Sequence, residues 1–330
     1  MRIAFLPAGD EDTASSRIRV YTLARELTAL GHPSTVGRDD RADVLVVQKL
    51  VNRKALFAAI AARERRALVL YDADDVGPAL DFFAKPHRLQ LMLSLADAVL
   101  TDTAGHGQTL ATIPGMSPVH IIPDAIDYGL TAPRLPTLDE PGKLRVLWFG
   151  NWAGLAAFAP FGAAIAAEPG VELVLSTLRP EGRPLPPGLE RATVVPWSRA
   201  AMPGLFASCH LSCLVHPGDP AALGKSNNRM VASICWGLPA LVGDTPAYRE
   251  TAQQLELTEA VFSDPAGARR ALARWRSAAA RRWYLERAQA PLWRQYAPAA
   301  VARTFLTTLA KLQRRQRAVG LTDYLQTLWP

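Results

Sequence analysis

Cysteine is scarce in these 330 residues, with Cys209, Cys213 and Cys235 the only three. They are too few and too apolar in context for a disulfide framework, and they fit a reducing compartment. Cys209 and Cys213 lie in ASCHLSCLVH, which alternates like a buried strand, so the spacing argues against a metal site. Long hydrophobic runs are missing too. No apolar stretch reaches the roughly 18 residues of a membrane span. The opening MRIAFLPAGD lacks the apolar core and cleavage site of a signal peptide, so a cytoplasmic chain is expected. Zinc spacings, heptads and an RNP-like aromatic box are also absent, which removes the usual supports for nucleic-acid binding.

What is present describes an ordinary globular interior, with 49% hydrophobic and 20% charged residues. The length suits two domains of about 130 to 180 residues. A net charge of +7 favours anionic partners. Much of it sits late, in RRALARWRSAAARRWYLER and KLQRRQR, so it does not belong to one binding site.

Short apolar runs alternate with helix-like stretches. RIAFLPAG reads as a strand, and SSRIRVYTLARELTALGH follows as a helix capped by Ser15 or Ser16 and stopped by Gly31. ADVLVVQK, ALVLYDADD, ADAVLTDT and PVHIIPDAID are further strands, apolar throughout as in a parallel sheet covered on both faces. YGLTAPRLPTLDEPGK is rich in proline and turn formers and reads as a linker. The pattern then restarts with LRVLWFGN, VELVLSTL, ATVVPW, HLSCLVHP and PALVGD, and from about Pro265 onward the chain is helical. Two such halves imply an α/β protein of two doubly wound, Rossmann-like domains, whose ligands bind beyond the carboxyl ends of strands.

Candidate site residues therefore sit at strand ends. Gly150 and Asn151 follow LRVLWF, where a glycine allows close backbone approach and the next helix offers free N–H groups; a plain turn reads the same way. His216 ends another strand, as a ligand contact or a core histidine. Lys225, Asn228 and Arg229 open a helix, and cations at that pole of a helix are unfavourable unless an anion joins them. A diphosphate fits, with Lys225 as a point charge and Arg229 as a planar fork; a solvated loop is the other reading. Tyr71-Asp72-Ala73-Asp74-Asp75 places three acids at a strand end. Repelling carboxylates in a cleft supply a general acid or base, and Asp72 and Asp75 are the candidates, against a capping loop. His87 and His106 lie nearby in sequence, as further candidates or as residues of helix surfaces.

Asn228-Arg229, the helix after it and Gly237-Leu238-Pro239-Ala240-Leu241 resemble the donor-binding segment of GT-B glycosyltransferases, particularly the family-four group. Ile122-Pro123-Asp124-Ala125-Ile126-Asp127 is similar to the segment closing their N-terminal domain. Ser16-Arg17, Ala96-Asp97-Ala98-Val99 and Glu250 also stand where that family has similar residues, so nearly the whole chain is covered in order. The resemblance implies domains facing across a cleft: 1–130 for the acceptor, a linker over 131–143, 144–285 for the nucleotide-sugar, and helices over 286–330 crossing back to the first domain. It implies a hexosyltransferase of retaining type, serving polysaccharide biosynthesis, with a glycan or lipid-linked acceptor. Lys225 and Arg229 would neutralise the leaving diphosphate in place of a metal or other cofactor, with Ser16, Arg17, Gly150, Asn151, His216, Asn228 and Glu250 as further substrate contacts. The chain departs from the family at Gly224 and Ala232, where two glutamates are usual. A nucleotide-sugar epimerase or a catalytically silent nucleotide-sugar-binding protein are the alternatives. RWRSAAARRWYLERAQ adds the inner face of an anionic membrane as a candidate partner, or else is core packing with a solvated basic back.

Overall fold

The computed structural model describes residues 1–74, 86–113, 116–135, 142–216 and 224–312. The chain divides into two compact units, one of Met1–Ala125 with Tyr296–Pro330 and one of Ile126–Gln295.

In the first unit, β1 (Ile3–Leu6), β2 (Ser34–Val36), β3 (Val44–Gln48), β4 (Leu68–Asp72), β5 (Ala98–Thr101) and β6 (Val119–Ile121) form a parallel sheet in the order β2-β1-β3-β4-β5-β6. The uninterrupted apolar runs have a direct cause. Ile3, Phe5, Val44, Val46 and Leu70 pack on one face, while Ala4, Leu45, Val47, Val69 and Tyr71 pack on the other. The inner strands β1, β3, β4 and β5 are therefore buried on both sides, while the edge strands β2 and β6 are partly exposed.

The helices of this unit begin with α1 (Ala14–Ser16), α2 (Thr22–Ala29), α3 (Arg53–Glu64), α4 (Pro86–Leu95) and α5 (Ala104–Ala111). Two are capped as their sequence suggests: Asn52 Oδ1 accepts from Ala55 N, and Thr103 Oγ1 accepts from His106 N. The first helix differs from expectation. It starts at Ala14 with Thr13 before it, so Ser15 and Ser16 lie inside its first turn rather than capping it. Arg17–Tyr21 then forms a π-helical segment between α1 and α2, a wider turn that buries both Arg17 and Arg19. Gly31 follows α2 at φ +86° and ends it, as expected.

The second unit repeats the architecture. β7 (Leu144–Phe149), β8 (Val171–Thr177), β9 (Thr193–Pro196), β10 (Leu211–Leu214), β11 (Ala240–Gly243) and β12 (Val261–Phe262) pair in parallel in the order β12-β11-β10-β7-β8-β9. Its helices are α6 (Leu155–Ala166), α7 (Met202–Ser208), α8 (Asn228–Cys235), α9 (Pro246–Gln254), α10 (Pro265–Arg274) and α11 (Ala278–Tyr296). The last helix, α12 (Pro298–Lys311), belongs to the first unit. Its Val301, Ala302, Phe305 and Leu309 join the cluster of Ile3, Phe5 and Leu27, with the Phe5 and Phe305 rings 6.1 Å apart.

Both expected boundaries shift. Residues 126–135 belong to the second unit: Arg134 N donates to Cys235 O at 2.8 Å, and the Tyr128 ring meets Phe206 edge-on at 5.6 Å. Gly237 makes that approach feasible, since at φ +94° an added Cβ would lie 2.8 Å from Leu135 O. The break expected at 285 falls inside α11, which runs on to Tyr296. Of the expected linker, residues 136–141 lie outside the described residues. Among the described residues no helix is long and apolar enough to cross a membrane, and no cluster of His, Cys, Asp or Glu could hold a metal ion. The three cysteines are buried, and burial pushes the Cys209 thiol up to about 11 and the Cys235 thiol up to about 12.

Candidate functional site

In each sheet the chain reverses its direction of growth at one place, and in open α/β sheets ligands bind beyond the strands there. In the second unit that place lies between β7 and β10, which are adjacent although β8 and β9 extend one way and β11 and β12 the other. Phe149-Gly150-Asn151 and Val215-His216 leave those two strands, and α8 begins beside them.

Arg229 joins the two strand ends. Its NH1 donates to Phe149 O at 3.0 Å, and its NH2 donates to Val215 O at 3.1 Å. The same NH2 lies 3.1 Å from His216 Nδ1. Arginine only donates, so a His216 nitrogen is the acceptor in this contact. His216 also stacks on Tyr248, with centroids 5.1 Å apart. Burial lifts the Tyr248 hydroxyl above its ordinary value, against the opposing pull of Arg229. Gly150 has a packing reason to be glycine, because an added Cβ would come within 2.9 Å of Arg229 NH1.

This geometry resolves the unfavourable cation at a helix start. The carbonyls at the carboxyl ends of β7 and β10 carry partial negative charge and hold the guanidinium over the helix pole. A guanidinium has five N–H groups, so donors remain for a further acceptor. Lys225 is half-buried just before α8, and Asn227 pins the turn by donating Nδ2 to Thr251 Oγ1 of α9 at 2.8 Å. Asn228 N donates to Ser226 Oγ at 3.4 Å. Asn151 is exposed, and its side chain accepts from Ala153 N at 3.1 Å, capping the turn Trp152–Gly154 that leads into α6. Gly150, Asn151, His216, Lys225, Asn228 and Arg229 therefore gather around one strand reversal. Glu250, on α9, accepts from Gln254 Nε2 one turn along the same helix.

The first unit has its reversal between β1 and β3, and there the polar groups are enclosed. Gln48 ends β3 fully buried; its Oε1 accepts from Ala8 N at 3.1 Å and from Ser16 Oγ at 2.8 Å. Ser16 Oγ accepts in turn from Gly9 N at 3.0 Å. Arg17 NH1 donates to Glu11 O and Asp12 O, both at 3.0 Å. Ser16 and Arg17, expected as substrate contacts, thus shape the loop after β1.

Asp72, expected as a cleft acid or base, is only 3% exposed, and Arg19 grips both its oxygens. Nε donates to Oδ2 at 2.8 Å, and NH2 to Oδ1 at 2.8 Å. Arg19 NH1 also donates to Asp124 Oδ1 and Ile122 O, and Lys49 Nζ lies 2.9 Å from Asp74 Oδ2. Burial by itself would lower the Arg19 value, yet Asp72, Asp124 and Asp74 outweigh it and hold the guanidinium well above its ordinary range. Asp72 is thus held at the end of β4 as an anchoring carboxylate. Asp75 lies outside the described residues. His106 is not on a helix surface either; it is fully buried, with Nδ1 at 2.8 Å from Asp102 Oδ1 and from Thr101 Oγ1. His87 is exposed on α4.

Arg19, Lys49 and Gln48 went unremarked in the sequence, as did the parts Asp74 and Asp124 play beside Arg19. The acids at the end of β4 were the one visible signal, since buried carboxylates imply buried cations near them.

No family model and no curated protein matches the chain. Solved structures do. HepE from Anabaena in complex with UDP aligns over 94% of this chain and 100% of its own, at 16% identity and a TM-score of 0.70. An α,α-trehalose 6-phosphate synthase from Burkholderia multivorans aligns over 92% and 77%, at 13% identity and a TM-score of 0.57. A protein described as a UDP-N-acetylglucosamine 2-epimerase from Listeria monocytogenes aligns over 97% and 99%, at 13% identity and a TM-score of 0.55. With two parallel six-stranded sheets covered by helices, the chain has the GT-B fold.

Proposed function

We propose that this protein is a glycosyltransferase that moves a hexosyl group from a nucleotide-diphospho-sugar to a glycan or lipid-linked acceptor, with retention at the anomeric carbon. The observation that carries the reading is Arg229 at the strand reversal of the second unit, tied to Phe149 O and Val215 O with donors to spare. In this reading the diphosphate sits against Arg229, Lys225 and the first N–H groups of α8. As the glycosidic bond to the donor breaks, negative charge grows on the leaving diphosphate. Fixed donors and two cations stabilise that charge without rearranging, so no metal ion is required. UDP and UDP-glucose in the Anabaena HepE structures support a uridine nucleotide as the first to test. Cytoplasmic polysaccharide assembly is the setting this chemistry fits.

Calorimetric titration of UDP, GDP and ADP into wild type, Lys225→Ala and Arg229→Ala tests the site. The best-binding diphosphate should lose roughly thirtyfold in affinity in each variant, about 2 kcal/mol. The nucleoside alone should lose almost nothing. Arg229→Lys guards against misfolding of Arg229→Ala: it keeps the charge but cannot span two carbonyls and a phosphate, so it should fall between the two. Identical titrations in all variants would remove the diphosphate from this end of the sheet.

Two observations favour a second reading. Asp72 is clamped by Arg19 and the usual glutamates are replaced by Gly224 and Ala232, so a protein that binds nucleotide-sugars without transferring them, or an epimerase like the Listeria neighbour, also fits. Incubation with nucleotide-sugars separates the three: release of nucleotide marks the transferase, sugar interconversion the epimerase, and binding without turnover the silent protein.

A further inference from the structure

A long arginine-rich stretch equals in its own charge the net +7 of the whole chain. Residues 265–296 hold eight arginines and one carboxylate, Glu286, while the rest of the chain carries 29 basic and 29 acidic residues and is balanced. Those 32 residues are α10, α11 and the turn between them. Seven of the eight arginines are exposed; Arg281 is buried. Three of the exposed seven are paired by carboxylates from elsewhere: Arg269 with Glu168, Arg274 with Glu259, and Arg287 with Glu256. Arg270, Arg276, Arg282 and Arg294 have no carboxylate partner among the described residues.

Helix α11 has two distinct faces. Arg281, Tyr284, Leu285, Ala288, Leu292 and Tyr296 are buried along one stripe. Opposite them, Arg282, Trp283, Glu286, Arg287, Ala290 and Arg294 are exposed. Trp283 is 45% exposed although it stacks on the fully buried Trp275 at 5.8 Å, and the Arg287 guanidinium lies 5.6 Å from its ring centre. A tryptophan held at the surface between arginines, on a convex helix, has a specific physical meaning. Its ring is already engaged by Trp275 and Arg287, which leaves little face for a nucleobase or sugar to stack on. Its free edge, with cations around it, suits the boundary between lipid headgroups and acyl chains, where indole is favoured and arginine meets phosphate.

We propose that the exposed face of α11, with Trp283 at its centre and Arg282, Arg287 and Arg294 around it, docks on an anionic lipid bilayer. The attraction is the sum of about one favourable increment per arginine and the apolar area of the Trp283 edge, and it weakens as salt is added. It does not depend on the donor site, which lies at the strand reversal of the same unit.

The test is co-sedimentation of the full chain with vesicles containing phosphatidylglycerol, against pure phosphatidylcholine, at low and physiological salt. Wild type should bind the anionic vesicles only, more weakly as salt rises. Arg282→Gln with Arg294→Gln should lower the partition coefficient roughly thirtyfold, and Trp283→Ala at least about fivefold. Thermal melting and UDP titration of the same variants should match wild type, which separates failure here from failure of the donor site. If Trp283→Ala does not fold, the arginine pair decides the question, since neither side chain holds a carboxylate. No binding to anionic vesicles at low salt overturns the proposal, as does undiminished binding by the arginine pair. An RNA oligonucleotide that binds as tightly, and does so equally in Trp283→Ala, overturns it in favour of a general polyanion patch.

Discussion

A guanidinium as enclosed as that of Arg19 persists only because acceptors meet it on every side: both oxygens of Asp72, one of Asp124 and the carbonyl of Ile122. Removing one partner of a buried ion pair leaves the others desolvated and uncompensated, which costs about 3–5 kcal/mol. Arg19→Met should lose that much in urea denaturation at pH 8. The loss should shrink at pH 5, because Asp72 and Asp124, which lose their closest cation with Arg19, can then take up protons and bury as neutral acids. Equal losses at both pH values would mean that the carboxylates relax to solvent and that the cluster is not a rigid core. The sequence made half of this cluster readable. Three acids at a strand end announce an unusual site, and Asp72 was singled out for that reason. Its partner stands 53 residues earlier on a helix, where arginine is ordinarily solvated, and only the π-helical turn swings it inward. Arg229 shows the reverse case. The helix-start cation was visible from sequence, while the carbonyls that hold it come from two strands far away along the chain.

At the scale of elements, the ten strands expected from continuous apolar runs all form; for the inner ones, burial on both faces of a parallel sheet leaves no alternation to confuse them. The two that escaped notice are edge strands of three and two residues, β2 and β12. Ser-Thr-Val and Val-Phe are too short to carry a pattern, and only their pairing with β1 and β11 makes them strands. The end of α8 was legible in Gly237, and its physical requirement is stricter than a turn. The residue sits at φ +94°, and Leu135 O and Arg134 O close in on the space a side chain would need. Gly237→Ala should therefore cost more than the roughly 1–2 kcal/mol of a left-handed alanine. Gly204→Ala is the matching control, because Gly204 is inside α7 with open space around it and should gain up to about 1 kcal/mol. If the two variants shift the urea midpoint alike, the close approach of residues 134–135 to α8 is not maintained in solution.

For the whole molecule, the sequence gives the right count of units and misplaces their edges. Prolines suggested a break near 131, yet the chain from Ile126 is already fastened to the second unit, and α11 carries that unit to Gln295. Each unit thus has its own sheet and its own covering helices, and the first unit completes one face of its core only with α12. Two cooperative blocks are expected, and they can be moved separately. Phe305→Ala removes a fully enclosed ring from the cluster around Phe5, at a cost of about 3–5 kcal/mol to the first unit. UDP at about 100 times its dissociation constant should raise the second unit by about 2.7 kcal/mol, because the ligand acts only on the block that binds it. Differential scanning calorimetry of wild type and Phe305→Ala, with and without UDP, reads both effects at once. The variant should lower one transition and leave the UDP-sensitive one in place, with UDP affinity unchanged by titration. A single transition that falls with Phe305→Ala and rises with UDP would show that the two units unfold together, and the division at Ala125 and Gln295 would then describe geometry without energetic independence.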